Sequence, residues 1–311
     1  MATPSNRTNS PALDGLRREQ DAPTAWIFAL PALAGLIFFV LAPFLLALFL
    51  SFTNLRLGSP LPLEFTGLRQ YTRIFADTAF LRALQNNTVF ALMVVPVQTA
   101  LALGLGLLIN QPLRGMVVFR TLFFTPVIFP LSLVSVIWIL IFAPGPDGTL
   151  NSLLQWLTLG AWEPRDFLHD PRLALPAITV TSIWQGVGFQ MVILLAALQS
   201  IPAELYEAAR VDGARKRQQF VHITLPALKN PLTFVILVTT ILAFRLFDQV
   251  QIMTRGGPNH ATTTVMYEAV NAAFGSQQVA RGAAMTVVFF TIVLTLTLVQ
   301  RRIAGQERAS S

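Results

Sequence analysis

A few side chains carry the chemistry this sequence offers. Trp184, Gln185 and Gln190 fall inside one long uncharged run, with Gly186 and Gly188 between them. Arg245 and Asp248 interrupt the end of another apolar stretch. Amides that donate and accept hydrogen bonds, beside an aromatic ring with a flat apolar face, are groups that hold hydroxyl-rich solutes. In hydrocarbon such polar groups are costly unless they face protein or a water-filled path. A structural reading competes for the glutamines: glycines let helices approach and amides bond across them. Gln98, Ser132 and Ser135 are weaker candidates of the same kind. Arg245 and Asp248 are three residues apart, share a helical face and can pair. They read either as an outer gate or solute contact, or as an ion pair at the headgroup boundary.

Other chemistries are missing. There is no cysteine, which excludes a thiol nucleophile, a disulfide and a cysteine metal site. His169, His222 and His260 are scattered, and no pair has metal-ligand spacing. A phosphate-binding P-loop needs Gly-x4-Gly-Lys-Ser/Thr. The only lysines, Lys216 and Lys229, have the wrong neighbours. No metal or cofactor is expected on this chain, and it is not read as an enzyme. Its energy must come from a partner or an ion gradient.

The elements that position these groups are set by where the charges are not. The chain has 311 residues, 54% of them hydrophobic and only 12% charged. Soluble proteins are about 25% charged, so this one reads as integral to a membrane. Charge-free runs cover Ala22–Leu55, Ala83–Leu113, Thr121–Pro146, Leu173–Ala203, Asn230–Phe244 and Gly282–Gln300. A spanning helix needs about 20 apolar residues. The fifth run is short, but its apolar pattern resumes after Asp248. Six spans are predicted, at 26–52, 87–109, 121–142, 174–198, 231–252 and 282–300. The runs are too uniformly apolar for a barrel, so the fold class is all-α integral membrane with six transmembrane helices. Residues 1–25 read as a disordered tail, and the run behind them is too long for a signal peptide.

Six spans put both termini on one side. That side carries 13 Lys and Arg over 79 residues against 8 over 94 on the other. The positive-inside rule makes it cytoplasmic. The net charge of +7 is thus a topology signal, and a nucleic-acid partner is not expected.

Residues 199–230 are the longest cytoplasmic connection. Pro202 suits a first helical position, and Glu204 and Glu207 suit the opening turns. Leu205, Ala208, Ala209 and Asp212 share a face, and Gly213 is a natural stop. Asn230-Pro231 reads as N-cap and first-turn proline of the fifth span. A short helix pinned between two spans is either a lever for a soluble partner or a plain surface helix.

The sequence Glu207-Ala208-Ala209, three residues, Gly213, nine residues, Ile223-x-Leu225-Pro226 resembles the EAA motif of permease subunits of binding-protein-dependent ABC importers. The resemblance implies a type-1 ABC importer permease architecture, with the type-1 domain at 83–301. Glu207, Ala208, Ala209, Asp212 and Gly213 would dock on an ATPase subunit, with Ile223, Leu225 and Pro226 shaping the return to the membrane. Asn86-Asn87-Thr88 opens the similar region, and Pro43 to Asn54 is similar to the first span of sugar-type permeases. Phe247-Asp248, then Thr254 to Pro258, Thr262 to Thr264, Tyr267 and Phe274, is similar to the carbohydrate-uptake permeases of the maltose and glycerol-3-phosphate kind. Unlike the maltose-type first subunit, this chain has no extra N-terminal spans and no large periplasmic insertion.

The function implied by the resemblance is sugar import. The expected partners are a second homologous permease chain, two ATPase subunits that carry ATP and magnesium, and an extracytoplasmic solute-binding protein. The expected place is a bacterial or archaeal cytoplasmic (inner) membrane, crossed several times. The alternative is an ion-driven secondary transporter or channel acting alone. That predicts intramembrane acids or an inverted repeat, and Asp248 is the only acid within a span.

Overall fold

The structure is a computed structural model that describes residues 28–111 and 115–309. The 1–25 tail lies outside the described residues. Helices α1 (Phe28–Leu50), α3 (Thr78–Ile109), α7 (Ala174–Gln199) and α12 (Val279–Ala309) are each long and apolar enough to cross a membrane. Two bent pairs bring the possible spans to six. They are α4 (Met116–Ile128) with α5 (Leu131–Ile141), and α9 (Lys216–Ala227) with α10 (Lys229–Phe244). Shorter helices are α2 (Arg69–Phe75), α6 (Thr149–Leu157), α8 (Ala203–Val211) and α11 (Val265–Val270). The sole β pairing among the described residues is one antiparallel bridge, Thr53 to Phe65.

The bundle is built on α3 against α7. Helix α10 packs on α3, α4 on α7, and α12 carries α1 and α11. One core gathers Phe80, Phe90, Ile178, Val250, Val265 and Met285. A second gathers Ala102, Ile109, Met191, Leu194 and Val235. Outside these cores the surface is apolar. The most hydrophobic stretch of α1 has no buried residue, and Phe38 and Phe39 are more than 70% exposed. Monomeric soluble proteins do not present patches of that extent. Lipid is the solvent this surface suits.

The span read as 121–142 is two helices at 101°. Proline explains the break. Phe129 precedes Pro130 and takes an extended backbone (φ −78°, ψ 139°), as a pre-proline residue must, and Pro130 then caps α5. The reading of Asn230-Pro231 as a helix start is also corrected. Helix α10 already begins at Lys229, after a 64° bend from α9. Pro226 lacks an amide proton, and a π-turn over Phe220–Thr224 precedes it.

The span read as 231–252 stops at Phe244. The chain leaves the helix at Arg245 and resumes it at Asp248, running into a π-turn over Val250–Thr254. Interrupting a helix inside an apolar bundle strands carbonyls that lipid cannot satisfy. Buried side chains satisfy them here. Asn87 Nδ2 donates to the Phe244 carbonyl at 3.2 Å, and its Oδ1 accepts from the Val265 amide at 2.9 Å. Thr264 Oγ1 donates to the Leu246 carbonyl at 2.8 Å. Asn86 Nδ2 reaches the carbonyls of His260 and Thr263, each at 2.9 Å.

Asn87→Ala removes two of these bonds and leaves a carbonyl and an amide buried without partners. At about 1–3 kcal/mol per stranded group, the variant should lose roughly 2–6 kcal/mol. Thermal unfolding in detergent should show a midpoint lowered by several degrees. An unchanged midpoint would mean that the break does not depend on this amide.

Candidate functional site

The interruption of α10 opens one side of a cavity of about 390 Å³. Gln98 enters from α3, Gln185 and Gln190 from α7, and Thr239 from α10, while Arg245 comes from the interruption and Asp248 from the turn where the helix resumes. Phe90, Phe189 and Phe247 add aromatic surface. Gln190 is buried. Its Nε2 donates to Thr239 Oγ1, and its Oε1 has no partner among the described residues. Gln249 Nε2 donates to Ser182 Oγ at 2.9 Å across the same wall. The site therefore presents amides and hydroxyls beside apolar rings, and one buried acceptor stands unpaired.

Four of the five candidates from the spans meet in this cavity. Trp184 does not: it is 44% exposed and stands edge-on to Trp138, with centroids 5.8 Å apart. Trp184 turns instead toward Trp138 of α5, away from the cavity that Gln185 lines. Nor do Arg245 and Asp248 pair. No ion pair joins them among the described residues, because the helix that would align them ends at Phe244. Of the weaker candidates Gln98 lines the cavity, whereas Ser135 is buried against its own helix, donating to the Leu131 carbonyl. Sequence reading missed Ser182, Thr239 and Gln249. Ser182 lies three residues before Gln185 on the same face, a signal that was available.

The 199–230 connection forms a second exposed feature. Pro202 (φ −58°, ψ 133°) stands at the N-cap of α8 rather than inside it. Asp212 closes the helix, and Gly213 turns left-handed at φ +78°. The amides of Gly213 and Ala214 close on the carbonyls of Arg210 and Ala209 at 3.1 and 2.8 Å, as helix ends with such a glycine do. No residue of α8 is buried. Glu207 and Arg210 pair at 3.7 Å in the open, which adds little stability. Ala208 is exposed, Ala209 and Ile223 are half-buried, and Leu225 and Pro226 are exposed. The helix is held from beneath: Tyr206 Oη meets Thr224 Oγ1 at 2.9 Å, and Gln219 Nε2 donates to the Ala214 carbonyl at 2.9 Å.

The histidines are separate. His169 contacts Asp166, His222 contacts the Gln218 carbonyl, and His260 lies 3.9 Å from Glu268. Among the described residues no three His, Cys, Asp or Glu side chains are grouped to hold a metal.

Comparison with known proteins gives a class to this fold. Residues 98–306 match the family described as binding-protein-dependent transport system inner membrane component. That is more than half of the chain, and the chain belongs to this family. The diacetylchitobiose uptake system permease protein NgcF of Streptomyces coelicolor is 34% identical over 89% of this chain and 82% of its own length. The lactose transport system permease protein LacF of Rhizobium radiobacter is 35% identical over 83% of this chain and 86% of its own. The fold is also that of a chain in the crystal structure of a bacterial ABC transporter for alginate import. That match has a TM-score of 0.79 at 19% identity and covers 96% of this chain and 99% of that one.

Two glycines of α7, one of them (Gly186) lining the cavity, differ in what surrounds them. A Cβ at Gly188 would overlap the Phe123 carbonyl, which is backbone. A Cβ at Gly186 would come within 2.6 Å of Gln98 Nε2, the end of a flexible side chain. Gly188→Ala should therefore push α4 off α7 and sharply reduce the monodisperse fraction recovered in detergent. Gly186→Ala should be recovered nearly as well as the parent. Equal recovery of both variants would contradict this packing.

Proposed function

We propose that this chain is a permease subunit of an ATP-driven ABC importer that moves a sugar or sugar-like solute across the cytoplasmic membrane by alternating access. The observation that carries the proposal is the exposed helix α8. It bears Glu207, Ala208 and Ala209, is closed by the left-handed Gly213, and buries none of its residues in this chain. Family membership supports reading it as the element a soluble ATPase grips, with Asp212 and Gly213 at its end. Ile223, Leu225 and Pro226, at the bend into α10, pass its movement to the bundle. Two ATPase subunits hold ATP and magnesium, a second homologous permease completes the pathway, and an extracytoplasmic binding protein delivers the solute. Both termini lie in the cytoplasm, as the distribution of Lys and Arg supports.

The cavity supports the solute class. Its volume lies in the range of small-molecule sites, about 300–1,000 Å³. Gln98 and Gln185 suit hydroxyl groups, and relatives that carry lactose and diacetylchitobiose in their names point the same way. Arg245 and Asp248 stand on the cavity wall. Their charges add to the hydroxyl-binding surface.

Nothing lies within 4 Å of a Cβ built at Gly213. A side chain there clashes with nothing in this chain. It carries a left-handed cost of about 1–2 kcal/mol and meets whatever docks on α8. In the reconstituted complex, Gly213→Glu should abolish uptake while ATP hydrolysis persists. Gly213→Asn, whose short amide tolerates the turn, should retain most uptake. Normal uptake by the glutamate variant would remove the coupling role. Uptake that survives ATP depletion but not loss of an ion gradient would favour a secondary transporter.

Gln185→Ala tests the cavity. Losing one neutral hydrogen bond, worth about 0.5–1.5 kcal/mol, should raise the KM for uptake roughly 2–10-fold with assembly unchanged. An unaltered KM would move the solute path elsewhere.

A further inference from the structure

Helix α6, in the connection between α5 and α7, buries one side and exposes the other. Its inner anchor is Asn151, which is fully buried. Asn151 Nδ2 donates to the carbonyls of Ala143 and Arg165 at 3.3 and 2.9 Å. Its Oδ1 accepts from Trp162 Nε1 and the Arg165 amide at 3.1 and 3.0 Å. Both donors and both lone pairs of the amide are used, so the orientation of the helix is fixed.

The side facing away from Asn151 is apolar. Leu153, Trp156 and Leu157 follow the i, i+3, i+4 rule of one helical face, and all three are exposed, Trp156 to 73%. The face is extended by Leu159, which is 96% exposed. Leu159 is held there by a left-handed backbone (φ +53°), followed by Gly160 at φ +87°. A leucine in that conformation costs about 1–2 kcal/mol. Presenting it to water would add a second cost with no return.

We infer that α6 is an interfacial helix that lays Leu153, Trp156, Leu157 and Leu159 into the lipid surface of the membrane, at the end of the bundle where α5 finishes.

The surroundings favour lipid over a protein partner. No ionisable residue occurs between Asp147 and Glu163, so the helix offers no charged rim of the kind a docking interface uses for specificity. Helix α6 packs on α5, whose exposed large side chains, Leu133, Val136, Ile137 and Leu140, are all apolar. That is the surface a spanning helix shows to hydrocarbon, and α6 continues it. Tryptophan is the side chain enriched at the membrane–water boundary, and an amphipathic helix lying in that plane is an established mode of attachment. Charged groups resume immediately beyond the helix. Arg165 lies over the Trp162 ring at 5.6 Å, and Asp166 pairs with His169 at 3.0 Å. Burial would raise the Asp166 carboxyl, but hydrogen bonds from His169 and Leu168 and the His169 charge hold it below the usual carboxylate range. The segment thus passes from an uncharged face to an ionised one within a few residues.

The chain has no cysteine, so single spin labels can be placed cleanly. Leu153→Cys, Trp156→Cys, Leu157→Cys and the control Glu163→Cys would each be labelled in the full chain. Each would be reconstituted in phosphatidylethanolamine–phosphatidylglycerol vesicles, alone and with its co-purifying subunits. Collision with dissolved oxygen reports lipid, and collision with a water-soluble nickel chelate reports water. The expected result is oxygen exceeding nickel severalfold at 153, 156 and 157, and the reverse at 163, in both preparations. Nickel dominance at the three helix positions would put α6 in water and overturn the inference. Low collision with both agents in the complex would mean that protein covers this face, and would overturn it too. Each labelled position reports independently, so a variant that fails to fold does not remove the test.

Discussion

The bundle depends on two buried amides, Asn86 and Asn87. A break in a helix surrounded by apolar side chains strands backbone carbonyls in a medium that offers no partner. In α10 that break falls after Phe244, and Asn87 from α3 takes the exposed carbonyl. The same side chain holds the Val265 amide, and Asn86 holds the carbonyls of His260 and Thr263. One turn of α3 therefore fixes both the end of α10 and the return of the chain into α11. The break turns Arg245, Asp248 and Gln249 toward a shared cavity.

The cavity owes its other walls to close helix packing. Gly188 lets the Phe123 backbone lie directly against α7. Gly186 leaves room for the amide of Gln98, and Gly106 accepts the side of α7 near Leu195 and Leu198. The glutamines are thus at once packing elements and cavity lining. Gln190 shows both roles in one side chain: its amide nitrogen bonds Thr239, and its oxygen has no partner among the described residues. The two readings of these residues, packing and solute binding, are compatible in this geometry.

The fold class and the approximate places of the helices are legible from the absence of charge, because hydrocarbon excludes ions so strongly. What hydropathy does not encode is direction. The 101° bend at Phe129–Pro130 lies within an apolar stretch and leaves hydropathy unchanged, while the interruption after Phe244 coincides with Arg245, which marks a charge there but not a break. Pro130 is a visible signal for the first. The second has only a weak signal, since the amides that make it tolerable, Asn86 and Asn87, lie more than 150 positions away. Gln185 and Gln190 are legible because an amide in hydrocarbon stands out. Trp184, next to Gln185 in sequence, lies outside the cavity lining and against Trp138, which only the structure shows. Helix α8 is legible from Pro202 and Gly213, and its lack of burial needs the structure.

Helix α8 is, on this account, the handle by which an ATPase moves the bundle. The most direct measurement is cross-linking from Ala208→Cys in the tagged chain in its native membranes, followed by purification in mild detergent and mass spectrometry of the joined chains. The account expects a P-loop ATPase joined at position 208, together with a second permease in the same complex. A stable lone chain, with no ATPase joined at that position, would contradict it.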